Sequence, residues 1–266
     1  MLTVVTVTFN NYEEFLQTQA SLDAAGDVQR VVVNGGSCEQ TRAWLAARPE
    51  IISVSEPDRG ISDAFNKGVA LATGDLVVFL HSGDLLVDGR YYRQAQAHLA
   101  AHPEIGFTHC DMFFKDPLAG ELRMRPSLRG IGRGMPFWHP TMVVRKSVFA
   151  RIGGFREDYR IAMDYDWVCR LQRAGITGTY LSEEVCLRMD GGGVSSTQER
   201  RALAECWRAL RTNDLLSPGV VIGFAERVLL YNLRSALKLL GMTVVLRRIK
   251  KLRHGSAALS DTGSTG

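Results

Sequence analysis

Several short runs in this chain carry residue types that could do chemistry. Ser82-Gly83-Asp84 follows an apolar stretch at residues 76–80. A carboxylate in that position can cap the next helix, or it can hold a hard divalent cation. Mg²⁺ and Mn²⁺ take oxygen ligands and often use only one or two protein carboxylates, with phosphate oxygens filling the rest. Ser82 and Gly83 are small enough to let a diphosphate come close. Asp164-Tyr165-Asp166 opens a second helical pattern. Acids there complement the helix macrodipole, and one within reach of a hydroxyl can act as a general base. Asn34-Gly35-Gly36-Ser37 makes a tight turn or lets the Asn34 amide read a nucleobase edge. The GGGVSS run at 191–196 reads either as a plain connector or as a phosphate cradle before a helix. Trp138 and His139 lie in a loop rich in Gly, Pro and Arg. A lone His is most often structural, but a Trp-His pair beside a sugar could stack on a ring face and donate to a hydroxyl.

These runs need elements to position them. Residues 2–9, 28–33, 51–54 and 76–80 are apolar and β-branched, as strands buried on both faces are. Helical patterns at 12–25, 38–47, 61–72 and 88–101 separate or follow them. Such alternation implies βαβ crossovers and a mostly parallel sheet. Ligands of such sheets bind beyond the carboxyl ends of the strands, where Thr8-Phe9-Asn10, Asn34–Ser37 and residues 81–84 all fall. The second half is more mixed. It reads as two antiparallel strands around residues 117–120, a mobile loop at 126–139, a short strand at 141–144, helices at 146–152 and 164–174, a strand at 176–187, a helix at 197–212, and one or two amphipathic helices over 220–253.

Composition narrows the field. The chain has 266 residues, of which 45% are apolar and 23% charged, values of a globular protein with a sizeable core. Five cysteines without a CxxC exclude a disulfide framework and zinc-finger spacing and fit a reducing cytosol. No secretory leader or run of about 18 uncharged apolar residues is visible. The net charge of +4 is unevenly placed. Residues 220–254 hold eight basic residues and one acid, a net of +7, while residues 1–219 sum to −2. A nucleic-acid binder would spread positive charge over its main domain instead. A GxGxxG fingerprint is missing, which counts against a dehydrogenase or methyltransferase. A basic glycine-rich triphosphate loop after the first strand is also missing, which counts against a nucleotidyltransferase.

Read together, seven stretches resemble the inverting family 2 glycosyltransferases of the GT-A fold, of the colanic-acid type that builds bacterial surface polysaccharide. They are VTVTFN (5–10), VVVNGGSCEQT (31–41), SEPDRGISDAFNKGVALATGD (55–75), FLHSGD (79–84), FWHPTMVVRKSVFARIGGF (137–155), MDYDWVCRLQRAG (163–175) and GGVSS (192–196), in family order over about residues 1–200. The resemblance implies an α/β GT-A fold, Rossmann-like with a mostly parallel sheet, over residues 1–212. It leaves a basic helical extension at 213–254 and a polar tail at 255–266. It implies a metal-dependent hexosyltransferase using Mn²⁺ or Mg²⁺. The donor would be a nucleotide-diphosphate sugar and the acceptor a saccharide or a polyprenyl-diphosphate-linked sugar.

The implied roles fall on matching positions. Thr8, Phe9, Asn10 and Asn34 would border the nucleobase, and Asp63 and Lys67 would contact the nucleotide. Ser82, Gly83 and Asp84 match the metal motif, with Asp84 as the ligand. Gly192 and Ser195 would close over the diphosphate. Trp138, His139 and Asp166 would serve the acceptor, and Asp164 would be the base. Three positions depart from the family pattern: Asn34 and Ser82 stand where Asp is common, and Met163 where Glu is common. These departures motivate an alternative, a degenerate protein that binds a sugar nucleotide without transferring it. The basic extension either docks on the catalytic domain or a second subunit, or lies on an anionic membrane at the inner face of the cytoplasmic membrane.

Overall fold

The computed structural model describes residues 1–127, 129–191 and 197–254. Strands β1 (Leu2–Thr8), β2 (Gln29–Asn34), β3 (Ile52–Ser55) and β4 (Leu76–Phe79) form the parallel half of a nine-stranded sheet. Every residue of β1 is buried. Val5 and Val7 join a core on one face with Val31, Val77, Phe79 and Trp167, and Leu2 and Val4 join a core on the other with Val78, Tyr91, Tyr92 and Leu99. This two-sided burial is why β1 lacks the polar alternation of a half-exposed strand.

Helices α1 (Tyr12–Ser21), α2 (Glu39–Ala46), α3 (Ile61–Leu71) and α4 (Arg90–Ala101) intervene. α3 lies tightly on the sheet: a Cβ at Gly68 would come within 2.2 Å of Val5 Cγ1. The sheet continues with β5 (Leu85–Leu86), β6 (Phe107–Asp116), β7 (Gly120–Met124), β8 (Val143–Arg145) and β9 (Gly178–Asp190) in the path β3-β2-β1-β4-β8-β6-β9-β5, with β7 on β6. β8 runs antiparallel to β4 and β6, while β9 runs parallel to β6. The result is a GT-A-like mixed sheet with helices on both faces.

Helices α5 (Lys146–Ile152), α6 (Met163–Arg173), α7 (Glu199–Thr212), α8 (Pro218–Leu239) and α9 (Thr243–His254) complete the chain. The 220–253 pattern is thus two helices, broken at Gly241, whose φ of 71° favours glycine. The expected mobile loop at 126–139 is corrected at its centre. Residues Ile131–Arg133 form a 3₁₀ turn, and Ile131 is buried. The Ile131 carbonyl accepts the Tyr165 hydroxyl at 2.7 Å, and Arg133 pairs with Glu226 of α8 at 2.7 Å.

Candidate active site

The loops after β1 and β4 form one side of a cleft of about 570 Å³, and the lead-in to α3 forms the other. Thr8, Phe9, Asn11, His81 and Ser82 line the first side, and Asp58, Arg59 and Gly60 are among those lining the second. Phe9 is 69% exposed. An aromatic face held out at the rim of a polar cleft is a stacking platform for a planar ligand.

Asn11, which sequence reasoning passed over, ties the two loops together. Its Oδ1 accepts the Thr8 hydroxyl at 2.8 Å and the Phe9 N–H at 3.2 Å, and its Nδ2 donates to the Ser82 carbonyl at 3.5 Å. The signal for it was an Asn-Asn pair directly after a buried strand, where an amide can satisfy free backbone groups.

Asn10 and Asn34, both expected at the nucleotide, are hydrogen-bonded within the protein. Asn10 adopts a left-handed φ of 53°, and its Oδ1 accepts the Ser37 and Cys38 N–H groups at 2.9 and 3.1 Å. Asn34 is fully buried. Its Oδ1 accepts the Gly36 N–H at 3.1 Å and its Nδ2 donates to Ser55 Oγ at 3.3 Å. Both amides are spent on the turn. Gly35 is required there, because a Cβ would sit 2.0 Å from Asp58 Oδ2.

Asp63 and Lys67 are likewise engaged within the protein. Neither lines the cleft; they brace residues that do. Asp63 accepts from the Arg59 backbone and guanidinium, both at 3.0 Å, and this bonding holds its carboxyl down to about 2. Lys67 binds Asp58 at 2.7 Å, Glu56 at 2.9 Å and Asp63 at 3.4 Å. Burial works against its charge, but the Asp58 and Glu56 bonds more than offset that, and its pKa is raised.

Asp84 is buried beyond the end of β4. Its Oδ2 accepts the His81 N–H at 3.2 Å. Burial pushes its pKa up to about 7, with the Asp190 charge adding to the rise. Beside it, Gly83 takes a φ of 104° and donates its N–H to Thr18 Oγ1 at 2.9 Å. The Ser82 hydroxyl is buried with no hydrogen-bond partner among the described residues. Asp84 and Ser82 both lie past the cleft end of β4, and burial together with the Asp190 charge opposes the Asp84 negative charge. That placement suits a cation whose other ligands come from phosphate, since among the described residues no cluster of three or more His, Cys, Asp or Glu offers a full protein cage.

His139 belongs to the core. It is buried, stacks on Phe79 at 5.1 Å and packs against Phe155 at 5.4 Å. Burial, reinforced by His81, pushes its pKa down to about 3, so it carries no charge for a phosphate or acceptor. Trp138 packs against the core face that holds Leu2, and its indole N–H is buried without a partner among the described residues.

The two acids of Asp164-Tyr165-Asp166 are separated by the helix. Asp166 is fully buried, bonded to Arg170 at 3.0 Å, Arg156 at 3.3 Å and Asn213 at 3.0 Å. These three partners hold the Asp166 carboxylate within the protein. Asp164 is half-buried, and its Oδ1 accepts the Tyr165 N–H at 2.7 Å. Burial pushes its pKa up to about 6, partly opposed by the charge of Arg227 on α8. Arg227 lies 5.7 Å over the Tyr165 ring, and its Nη1 is buried with no hydrogen-bond partner among the described residues.

Glu205 of α7, also missed by sequence reasoning, holds the lead-in to α6. Its carboxylate accepts the N–H groups of Arg160, Ile161 and Ala162 at 3.2, 2.8 and 2.9 Å. Arg160 in turn donates to the Arg59 carbonyl at 2.6 Å. The lead-in to α6 is thereby bonded directly to the cleft wall. Gly192 and Ser195 lie outside the described residues.

The family model for "Glycosyl transferase family 2" matches residues 3–180, which include the cleft, Asp84 and Asp164. The chain belongs to this family. Among curated relatives, this glycosyltransferase is 31% identical over 212 residues to an uncharacterized glycosyltransferase of Mycobacterium tuberculosis (strain ATCC 25618 / H37Rv), covering 76% of this chain and 79% of that protein. It is 27% identical over 183 residues to a PGL/p-HBAD biosynthesis glycosyltransferase of the same organism, covering 65% and 69%. Among solved structures, S. aureus TarS 1-349 in complex with UDP-GlcNAc superposes with a TM-score of 0.63 at 15% identity, covering 85% of this chain and 72% of that one. The mannosyltransferase PcManGT from Pyrobaculum calidifontis, in complex with GDP-Man and Mn²⁺, superposes with a TM-score of 0.59 at 19% identity, covering 92% and 80%. These two likenesses establish the GT-A-type fold of the family 2 enzyme.

Proposed function

We propose that this glycosyltransferase moves a sugar from a nucleoside-diphosphate sugar to a hydroxyl of a saccharide or polyprenyl-diphosphate-linked acceptor, with inversion, in surface-polysaccharide assembly at the cytoplasmic side of the membrane. The observation that carries the reading is the desolvated Asp84 two residues past Ser82, which lines the cleft together with the exposed Phe9 and whose hydroxyl is buried without a hydrogen-bond partner among the described residues. The nucleotide complexes of TarS and PcManGT, and the Mn²⁺ of the latter, support it.

In this reading Phe9 stacks on the nucleobase, and Ser82 and Gly83 admit the diphosphate. Asp84 would hold Mn²⁺ or Mg²⁺, which when bound neutralises charge on the departing diphosphate. Asp164 takes the proton of the acceptor hydroxyl. The acceptor oxygen forms its bond to the anomeric carbon as the bond to the phosphate oxygen breaks, and the electron pair leaves with the diphosphate. One such displacement inverts the anomeric centre. Residues 1–212 form the catalytic domain, and 213–254 are an extension whose α8 docks on it.

Thermal unfolding with UDP, GDP, dTDP and CDP, each with and without Mn²⁺, tests the reading on wild type and Asp84→Ala. A ligand at 100 times its dissociation constant adds about 2.7 kcal/mol. One diphosphate should stabilise the protein in a metal-dependent way, and Asp84→Ala should lose that gain. Stabilisation without sugar transfer to any acceptor would favour the degenerate binder instead. No stabilisation by any of the four would overturn the donor assignment.

A further inference from the structure

α8 has two unlike faces. Its inner face docks: Phe224 meets the Trp207 ring at 5.0 Å, and a Cβ at Gly223 would come within 3.0 Å of Arg133 Cγ. Glu226, four residues after Ile222, lies on the outer side, where it is exposed and pairs with Arg133. Its outer face carries Ile222, Leu229, Leu233 and Leu240, spaced seven, four and seven residues apart. All are exposed, Leu229 at 68%. Such spacing keeps them on one side of a helix. α9 folds against α8 and β7 and adds exposed Val244 and Ile249. Lys238, Arg247 and Arg248 stand exposed beside this surface. Exposed apolar side chains repeated along one side of a helix mark an interaction site rather than scattered surface residues.

We propose that the outer face of α8 and α9 lies on an anionic lipid bilayer. The charge decides the occupant. Of the eight basic residues in 220–254, Arg227 faces Tyr165 and Arg234 pairs with Glu199, which leaves six, and the single acid, Glu226, is paired with Arg133. A second copy docking on the same face would set these cations against their like, whereas an anionic leaflet complements both the apolar stripe and the cations. The helices lie on the surface and do not cross it, since none described is long and apolar enough to span. The inner face of the same helix presents Arg227 toward Tyr165, so the bilayer would sit about one helix diameter, about 10 Å, from that wall of the site. That an acceptor anchored by a lipid tail arrives from this side rests on the transfer reading. The lipid surface itself does not.

The test is flotation of the full-length protein with vesicles of mixed phosphatidylglycerol and phosphatidylcholine, and with phosphatidylcholine alone. Each basic residue near an anionic leaflet strengthens binding about fivefold. Wild type should bind the anionic vesicles at least about tenfold more tightly than the neutral ones. Leu229→Asp/Leu233→Asp and Arg247→Glu/Arg248→Glu should each weaken that binding at least about tenfold, with unchanged melting temperatures because the sites are exposed. Absence of wild-type flotation, or flotation of both variants at wild-type strength, would overturn the proposal. A dimer in sedimentation that Leu229→Asp/Leu233→Asp dissolves, with no vesicle binding by wild type, would assign the face to a second copy. Nucleotide stabilisation measured in parallel separates the two readings: flotation without it sinks sugar transfer and leaves the lipid surface standing.

Discussion

The Glu205 carboxylate accepts the Ala162 N–H at 2.9 Å, two residues before Asp164. With its bonds to Arg160 and Ile161 it satisfies three backbone donors that precede the first turn of α6. Glu205→Ala leaves those donors buried and unpaired, a cost of about 2–4 kcal/mol. Glu205→Gln keeps one acceptor oxygen and should cost less than half of that. Chemical denaturation of the three proteins measures both. Equal stability of wild type and Glu205→Ala would show that the lead-in does not depend on this carboxylate.

The neighbours Asp164 and Asp166 should answer the same substitution oppositely. Asp166→Asn strands the buried Arg170 charge and should destabilise by about 3 kcal/mol. Asp164→Asn removes a desolvated charge, so its melting temperature at pH 8 should equal or exceed that of wild type. Its turnover should fall by about 10²–10⁴-fold if Asp164 is the base. A stable, fully active Asp164→Asn would remove it from that role.

Acid should switch activity off at an unusually high pH for a carboxylate. Asp164 must be ionised to accept a proton, and burial places its pKa at about 6. With metal in excess, which keeps Asp84 ionised, the ratio kcat/KM should therefore rise with pH up to about 6 and level off above it. Arg227 favours the ionised form, so Arg227→Gln should move that limb to higher pH. A pH–rate profile centred near the ordinary carboxylate value, or one unmoved by Arg227→Gln, would count against this assignment.

Phe9 offers a clean separation of binding from folding. It is exposed, so Phe9→Ala should leave the melting temperature of the free protein unchanged. If the ring stacks on the nucleobase, the variant should bind the diphosphate about tenfold more weakly, since base–aromatic stacking is worth about 1–3 kcal/mol. Calorimetric titration of both proteins decides it, and equal dissociation constants would reject the stacking role.

Much of this molecule was legible in its residues. Unbroken β-branched runs such as that of β1 can be buried only between two covered faces, so the α/β layering and the strand-end cleft followed from local pattern alone. Asp84 and the Asp164-Tyr165-Asp166 run were visible as carboxylates at a strand end and a helix start, a common placement, and it was the resemblance to the family motifs that singled them out. What pattern could not assign was which polar group faces the cleft. Asn10, Asn34, Asp63, Lys67, His139 and Asp166 all have the right chemistry, yet each is engaged within the protein, three of them by partners distant in the chain: Ser37 for Asn10, Ser55 for Asn34, Asn213 for Asp166. Side-chain polarity is a local property, whereas a free lone pair depends on every neighbour within hydrogen-bond reach, and only the folded chain supplies those neighbours. The same holds for α8. Its heptad-like spacing announces an amphipathic helix, but that Phe224 and Arg227 turn inward while Leu229 and Leu233 remain exposed was settled by the 131–133 turn and α7 packing against one side of it.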